Sequence, residues 1–241
     1  MEDAKAELAP TGVLRAGINL SNFLLVTGRS RSGEPEGVAP DMAREIAARL
    51  RVPIAYVPFP RPGELADAAG TNVWDIGLIA VEPARAAKIA FSPAYVEIEA
   101  TYLVPPGSPL QTIAEVDRPG IRIAVAARSA YDLWLTRNVA HAELVRAPSL
   151  EAAFELFRAD KLDALAGLKP GLLADIEKLP GARILDGRFT SVQQAIGTAR
   201  ANGAGAAFLR TFVEEAKASG LIQRLIERHH VRGLAVAAPA A

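Results

Sequence analysis

The chain alternates short apolar runs of strand character with amphipathic segments of helical spacing, and it does so in two successive sets. The first set opens with "VLRAGI", a strand over 13–18. "DMAREIAARL" follows as a helix over 41–50, with Met42, Ile46 and Leu50 on one face. Pro40 and Asp41 suit its first turn, where a missing N–H is harmless and a carboxylate meets the positive dipole end. A strand over 54–59, a helix over 63–69, a strand over 75–80 and an extended "ATYLVP" over 100–105 complete this set. The second set begins after the breaker-rich "PGSPL". It predicts strands over 121–126, in "ELVRA", over 163–167 and over 192–199, with helices over 129–139, in "SLEAAFELFRA" and in "PGLLADIEKL". Helices over 204–219 and 221–229 close the chain, and the tail "GLAVAAPAA" reads as frayed. Strands that alternate with helices need crossover connections, so the expected class is α/β with mainly parallel sheets.

Two sets predict two lobes. A first crossing near Pro105–Pro109 and a return near residues 187–193 make the first lobe discontinuous: residues 1–104 and 193–241, with 105–192 as the second lobe.

Composition removes several functions. Lys plus Arg and Asp plus Glu both number 27, so the basic excess of a nucleic-acid binder is missing. Cysteine is absent, which excludes disulfides and thiolate chemistry. His141, His229 and His230 are the only histidines, so a His-based metal site or a Ser-His-Asp triad has few parts; no metal and no cofactor is expected. No apolar run approaches the ~20 residues of a membrane helix, so no membrane span is expected. "MEDAKAELAPTG" is acidic and lacks the apolar core of a signal peptide. An export signal removed from the chain and a protein that stays inside both fit. Nucleotide binding has no GxxxxGK[ST] to rest on, and "GTARANG" is not a dinucleotide fingerprint.

The most informative stretch is "WDIGLIAVEPARAAKIAFSPAYVEIEATYLVP", residues 74–105. A buried strand ends in the turn Glu82-Pro83-Ala84-Arg85 and places Arg85 just past the strand's carboxyl end, where open α/β sheets bind ligands. A guanidinium there offers a planar, bidentate fork to a carboxylate. The plainer reading is a surface arginine paired with Glu82.

These segments resemble a known family. "EGVAPDMAREIAARL", the stretch just quoted, "IRIAVAARSAYDLWL", "ADKLDALAGLKPGLL" and "AIGTA…FLRTFVEEAKASGLIQRLIERH" are similar, in order, to the signatures of type 2 periplasmic solute-binding proteins. The branch is that of the amino-acid ABC transporters, the family 3 extracellular solute-binding proteins. The likeness spans about residues 12–230. It implies a periplasmic-binding-protein type II fold: two lobes, each a mainly parallel sheet flanked by helices, joined by two hinge strands. It also implies a monomer in the periplasm that closes on a small solute, passes it to an ABC permease and has no catalytic residues.

The resemblance implies roles residue by residue. Arg85 falls on the arginine that grips the ligand carboxylate. Ser129 falls on a threonine that binds the same group from the second lobe, at a helix start whose N–H groups favour an anion. Asn19, Asn22 and Phe23 fall where side chains contact the ligand, and Phe23 has the ring to stack on it. Arg128 stands where glycine is common: either it adds a positive group for a dianion or a distal acid, or it points outward and its backbone does the work. Leu168 replaces the Asp that pairs with an α-ammonium, Ala80 replaces a hydroxyl residue, and Leu78 replaces a glycine. An ammonium enclosed without a carboxylate would cost several kcal/mol, unless Glu82, Glu97 or Asp132 supplies one. Asp163 matches the acid that begins the preceding strand. The expected ligand is therefore a small carboxylate that is not an ordinary α-amino acid. An elimination enzyme resembling cyclohexadienyl dehydratases, with Glu82 or Glu97 as general acid, and a ligand-sensing partner protein are the other readings.

Overall fold

The computed structural model describes residues 1–240 and divides into two compact units. One comprises Met1–Glu97 and the chain from Gln193 onward; the other is Ile98–Val192. The chain passes between them twice, within the strands Val96–Val104 and Thr190–Ala199.

In the first unit Leu14–Asn19 is the central strand. It pairs in parallel with Ile54–Phe59 on one side and Ile76–Ala80 on the other. Residues 194–197 then add antiparallel to Ile76–Ala80, and Ile89–Phe91 adds antiparallel beyond. The helix Val38–Leu50 lies on this sheet because its apolar residues fall on one face: Met42, Ile46 and Leu50 are buried, Arg44, Glu45 and Arg49 exposed. Its N-cap is Gly37 at φ 145°, where a Cβ would run into the Leu25 carbonyl. The core joins these residues to Leu14, Ile18, Ile76, Tyr95, Ile196, Phe212, Val213 and Leu225.

The second unit repeats the plan. Arg122–Ala126 is central, parallel to Glu143–Ala147 and to Ala164–Leu168, and residues 100–103 add antiparallel to the latter. Its core is built on Phe154, Phe157, Leu162, Leu165 and Leu172. Both units also share one side-chain device. Asp75 accepts the backbone N–H of Arg15 at 2.8 Å and donates its own N–H to the Arg15 carbonyl at 2.9 Å. Asp163 does the same with Arg122, at 2.8 and 3.0 Å. Each aspartate thus clasps the start of the third strand to the start of the central one and sets their register. The repeat is invisible to direct comparison of the two halves, because the shared feature is one acid per unit at a topological position.

Two segments differ from expectation. The tail is not frayed throughout: Ala235–Val236 pairs antiparallel with residues 96–97, and the Ala237 N–H reaches the Tyr95 carbonyl at 3.1 Å. An open edge of backbone donors and acceptors captures even an alanine-rich segment. The first residues form the helix Glu2–Leu8, which buries Leu8 and sets the Glu7 carboxylate 2.7 Å from the Gly205 N–H at the start of Gly203–Ala218. A carboxylate at that end is favoured by the unsatisfied N–H groups and the dipole.

Candidate functional site

Each unit gathers its candidate residues at the carboxyl ends of its parallel strands. In the first unit Asn19 ends the central strand and Ala80 ends its neighbour, so both lie on one edge. Pro83–Ala86 forms a short helix after Ala80, because proline fits the first turn of a helix. That turn carries Arg85 back over the strand end, where Nη1 donates to the Ala80 carbonyl at 2.9 Å. Arg85 is only 5 % exposed, so it is not a surface side chain. Ala80 contributes its carbonyl as the anchor of Arg85, a role that any side chain at that position would allow.

Asn19 and Asn22 shape the loop that follows the central strand. Asn19 Oδ1 accepts from the Ser21 N–H at 3.2 Å and from its hydroxyl at 2.8 Å. Buried Asn22 accepts the Leu24 N–H at 3.2 Å through Oδ1, and the Leu25 and Val26 N–H groups through its carbonyl. Both behave as turn formers whose side chains replace backbone acceptors. The loop they build leaves Phe23 42 % exposed, the only Phe, Tyr or Trp ring left that open among the described residues.

In the second unit the central strand ends at Ala126 and the helix Ala130–Asn138 begins after Ser129. Ser129 caps that helix, its Oγ accepting the Asp132 N–H at 3.1 Å. Arg128, just before it, is exposed and has φ 60°. Its backbone N–H donates to Asp132 Oδ2 at 2.7 Å, and Oδ1 of the same carboxylate accepts from Arg146 Nε at 2.9 Å. Arg146 is fixed in turn on Thr136 Oγ1 at 2.8 Å. Burial pushes the Tyr131 phenol well up, against a hydrogen bond with Ser129 that pulls the other way. Asp132 is the residue that sequence reasoning weighed only as a possible ammonium partner. Its position three residues after a serine cap is the signal that marks it as part of the turn instead.

Leu168 ends the third strand of this unit and is the N-cap of Lys169–Ile176, without a side-chain cap bond. Three acids of this unit are engaged elsewhere. Asp163 clasps Arg122 at the opposite end of the strand, and Asp132 holds the Arg128 turn. Glu99 accepts from Lys169 Nζ at 3.2 Å and from Arg188 Nη1 at 3.1 Å, and the Lys169 bond above all holds its carboxyl below the usual range. Lys169 and Glu99 were missed because their meeting depends on the antiparallel pairing of Leu168 with Ala100. Among the described residues no group of three or more His, Asp or Glu side chains is placed to hold a metal, and no helix is long and apolar enough to cross a membrane.

Comparison with known proteins bears on this arrangement. Residues 20–232 match the family described as bacterial extracellular solute-binding proteins, family 3. The chain belongs to this family. Its fold is that of the type II periplasmic binding proteins, as solved structures with distant sequences show. A mutant of ArgBP from T. maritima superposes with a TM-score of 0.75 at 23 % identity, covering 95 % of this chain and 100 % of that one. A putative binding component of an ABC transporter from Wolinella succinogenes, complexed with lysine, gives 0.75 at 20 % identity, covering 90 % and 95 %. An ancestral amino acid-binding protein, AncCDT-1, a precursor of cyclohexadienyl dehydratase, gives 0.74 at 19 % identity, covering 93 % and 98 %. No curated protein matches the chain at a significant level. At these identities the likeness speaks for the fold alone, and the ligand has to be argued from this chain's own residues.

Proposed function

We propose that this family 3 solute-binding protein captures a small carboxylate without an ammonium group, a keto acid, an aromatic acid or a short aliphatic acid. Arg85 is the main anchor. Ser129 and the helix start behind it take the same carboxylate from the other unit when the two close on the strands that join them, a hinge motion without chemistry. Phe23 stacks on the ligand body, and Asn19, Asn22, Ala80, Arg128 and Leu168 shape the pocket. The protein works as a monomer in the periplasm and hands its ligand to an ABC permease.

The observation that carries this reading is the leucine at position 168, with Asp163 and Asp132 already committed to backbone and arginine donors. A buried ammonium needs a carboxylate, and its desolvation is otherwise uncompensated. Calorimetry against matched pairs, each an amino acid and its deaminated keto or hydroxy analogue, tests it. The deaminated member is expected to bind more tightly in every pair that binds at all; consistent preference for the amino acid sinks the proposal. Arg85→Ala is expected to weaken binding by about 2–5 kcal/mol, the cost of truncating one partner of a buried charge pair. The rival reading, an eliminating enzyme, is tested by following prephenate and arogenate by NMR in the presence of pure protein. Both are expected to persist unchanged.

A further inference from the structure

The alanine-rich end of the chain is fastened residue by residue. Leu234 and Val236 pack on the core of the first unit. Ala235–Val236 pairs antiparallel with residues 96–97, and buried Ala237 donates its N–H to the Tyr95 carbonyl at 3.1 Å. Lys217, from the helix Gly203–Ala218, donates through Nζ to the Ala238 carbonyl at 2.8 Å. Its side chain is only 5 % exposed, and the same ammonium pairs with Glu214 Oε1 at 2.6 Å. Covering a lysine costs side-chain entropy and hydration. An end of chain left in solvent would need no such anchor. The tail is thus a built element of the first unit.

Its place of attachment gives it a role. The strand Val96–Val104 carries the chain from the first unit to the second, with the boundary between Glu97 and Ile98. The pairing of the tail ends at Glu97, the last residue of the first unit on this strand. In the second unit the pairing with Ala164–Leu168 begins at Ala100. There the Phe189 N–H donates to the Ala100 carbonyl at 3.0 Å, and the Phe189 ring centre lies 4.6 Å from that of Tyr102. The two ladders therefore come within two residues of each other, Ile98 and Glu99, and each ladder belongs wholly to one unit. A hinge is a few residues that absorb the backbone rotation between two rigid bodies.

We propose that residues 234–238 form a strap that sets the length of the hinge. The strap holds Val96 and Glu97 to the first unit, so rotation on this strand is confined to Ile98 and Glu99. Without it Val96 and Glu97 lose the pairing on that side and join the bending segment, and the two units sample a wider range of orientations. This goes beyond the carboxylate reading: it rests on the closure of two units and on no ligand chemistry.

The chain contains no cysteine. Ala48→Cys and Ala159→Cys, exposed on a helix of each unit, therefore take one spin label each. Pulsed dipolar EPR then reads the spread of distances between the labels, and amide hydrogen exchange followed by NMR reads the ladder. Two full-length variants are compared with the parent. Ala237→Pro removes the N–H that bonds Tyr95. Lys217→Met removes the donor to Ala238 and leaves an unbranched apolar chain in its place. Bonded pairs alternate along antiparallel strands, so Ala235 and Glu97 are bonded as Ala237 and Tyr95 are, and the Glu97 amide is the reporter.

Both variants are expected to speed exchange at Glu97 by about tenfold or more, equivalent to ~1.4 kcal/mol of local opening, and to widen the distance distribution. Amides of the central strand Leu14–Asn19 should keep their protection, which separates the strap from a general loss of stability. Faster exchange at Glu97 with an unchanged distribution overturns the proposal, since the strap would not govern the hinge. So does a distribution that widens only together with loss of protection in the central strand. Unchanged exchange at Glu97 in both variants removes the strap itself. The calorimetry of the deaminated pairs tests the carboxylate reading separately and stands whatever these measurements give.

Discussion

Tyr95 lies in the core of the first unit with no measurable exposure, and its hydroxyl finds no hydrogen-bond partner among the described residues. A buried hydroxyl without a partner forfeits about 1–3 kcal/mol of hydration. Tyr95→Phe removes that penalty and leaves a void of roughly 12 Å³, worth ~0.3 kcal/mol at the usual cavity cost. The variant should therefore be more stable by about 1–2.5 kcal/mol. For a chain of this length that raises the midpoint of thermal unfolding by roughly 2–4 °C per kcal/mol. The two tryptophans, Trp74 in the first unit and Trp134 in the second, let the affected unit be followed by fluorescence, best in a Trp134→Phe background. A second signature comes from alkaline pH. Burial raises the Tyr95 pKa, so the folded state keeps a proton that the unfolded chain loses near pH ~10. The sign follows: this stability is complete below the unfolded pKa and falls as pH rises above it, by about 1.4 kcal/mol at pH ~11. Tyr95→Phe lacks that loss, so its advantage over wild type should widen by the same amount between pH ~8 and ~11. A variant less stable than wild type at neutral pH, or an advantage that stays flat with pH, would refute the reasoning and point to a water bound at the hydroxyl.

Other expectations follow from single sites. Gly37→Ala should cost more than about 3 kcal/mol, since the Cβ meets the Leu25 carbonyl at a φ few side chains adopt; near-native stability in a urea titration would contradict it. Asp132→Ala should cost about 1–3 kcal/mol, discounted because Arg146 is 42 % exposed. In an Arg128→Gly background that loss should be smaller, and strictly additive effects would show that Asp132 does not support the strained turn. Asp117 accepts the N–H groups of Ala140, His141 and Ala142, and the Ala140 bond chiefly lowers its pKa. Its stabilisation is thus present above the unfolded pKa of ~3.9 and lost as pH falls through the lower folded value. Asp117→Asn should flatten the acid limb of the stability profile below pH ~4, and an unchanged limb would count against the contact.

Periodicity located the regular elements because burial writes itself locally. The strand Ile76–Ala80 and the helix ending at Leu50 were set by which residues must leave water. Short elements were not legible. Pro83–Ala86 is a single helical turn, and Ile89–Phe91 and Ala235–Val236 are strands only because an edge is available to them. Arg85 could be singled out from its place after a buried strand, and the sequence shows leucine at 168, where the resemblance implies an acid. That Asp163 holds Arg122 and that Asp132 also pairs with Arg146 was not legible, since strand pairing brings each of these partners near.

By itself, then, the sequence determined the α/β alternation, the family and the residue types at the strand ends, because these depend on local spacing and on the chemistry of single side chains. Tertiary structure alone decided which charges are already spent: the clasps of Asp75 and Asp163, the pairing of Asp132 with Arg146, and the sharing of Glu99 by Lys169 and Arg188. Electrostatic pairing is set by distance in space, and residues 60, 41 or 89 positions apart become neighbours only when the sheets assemble.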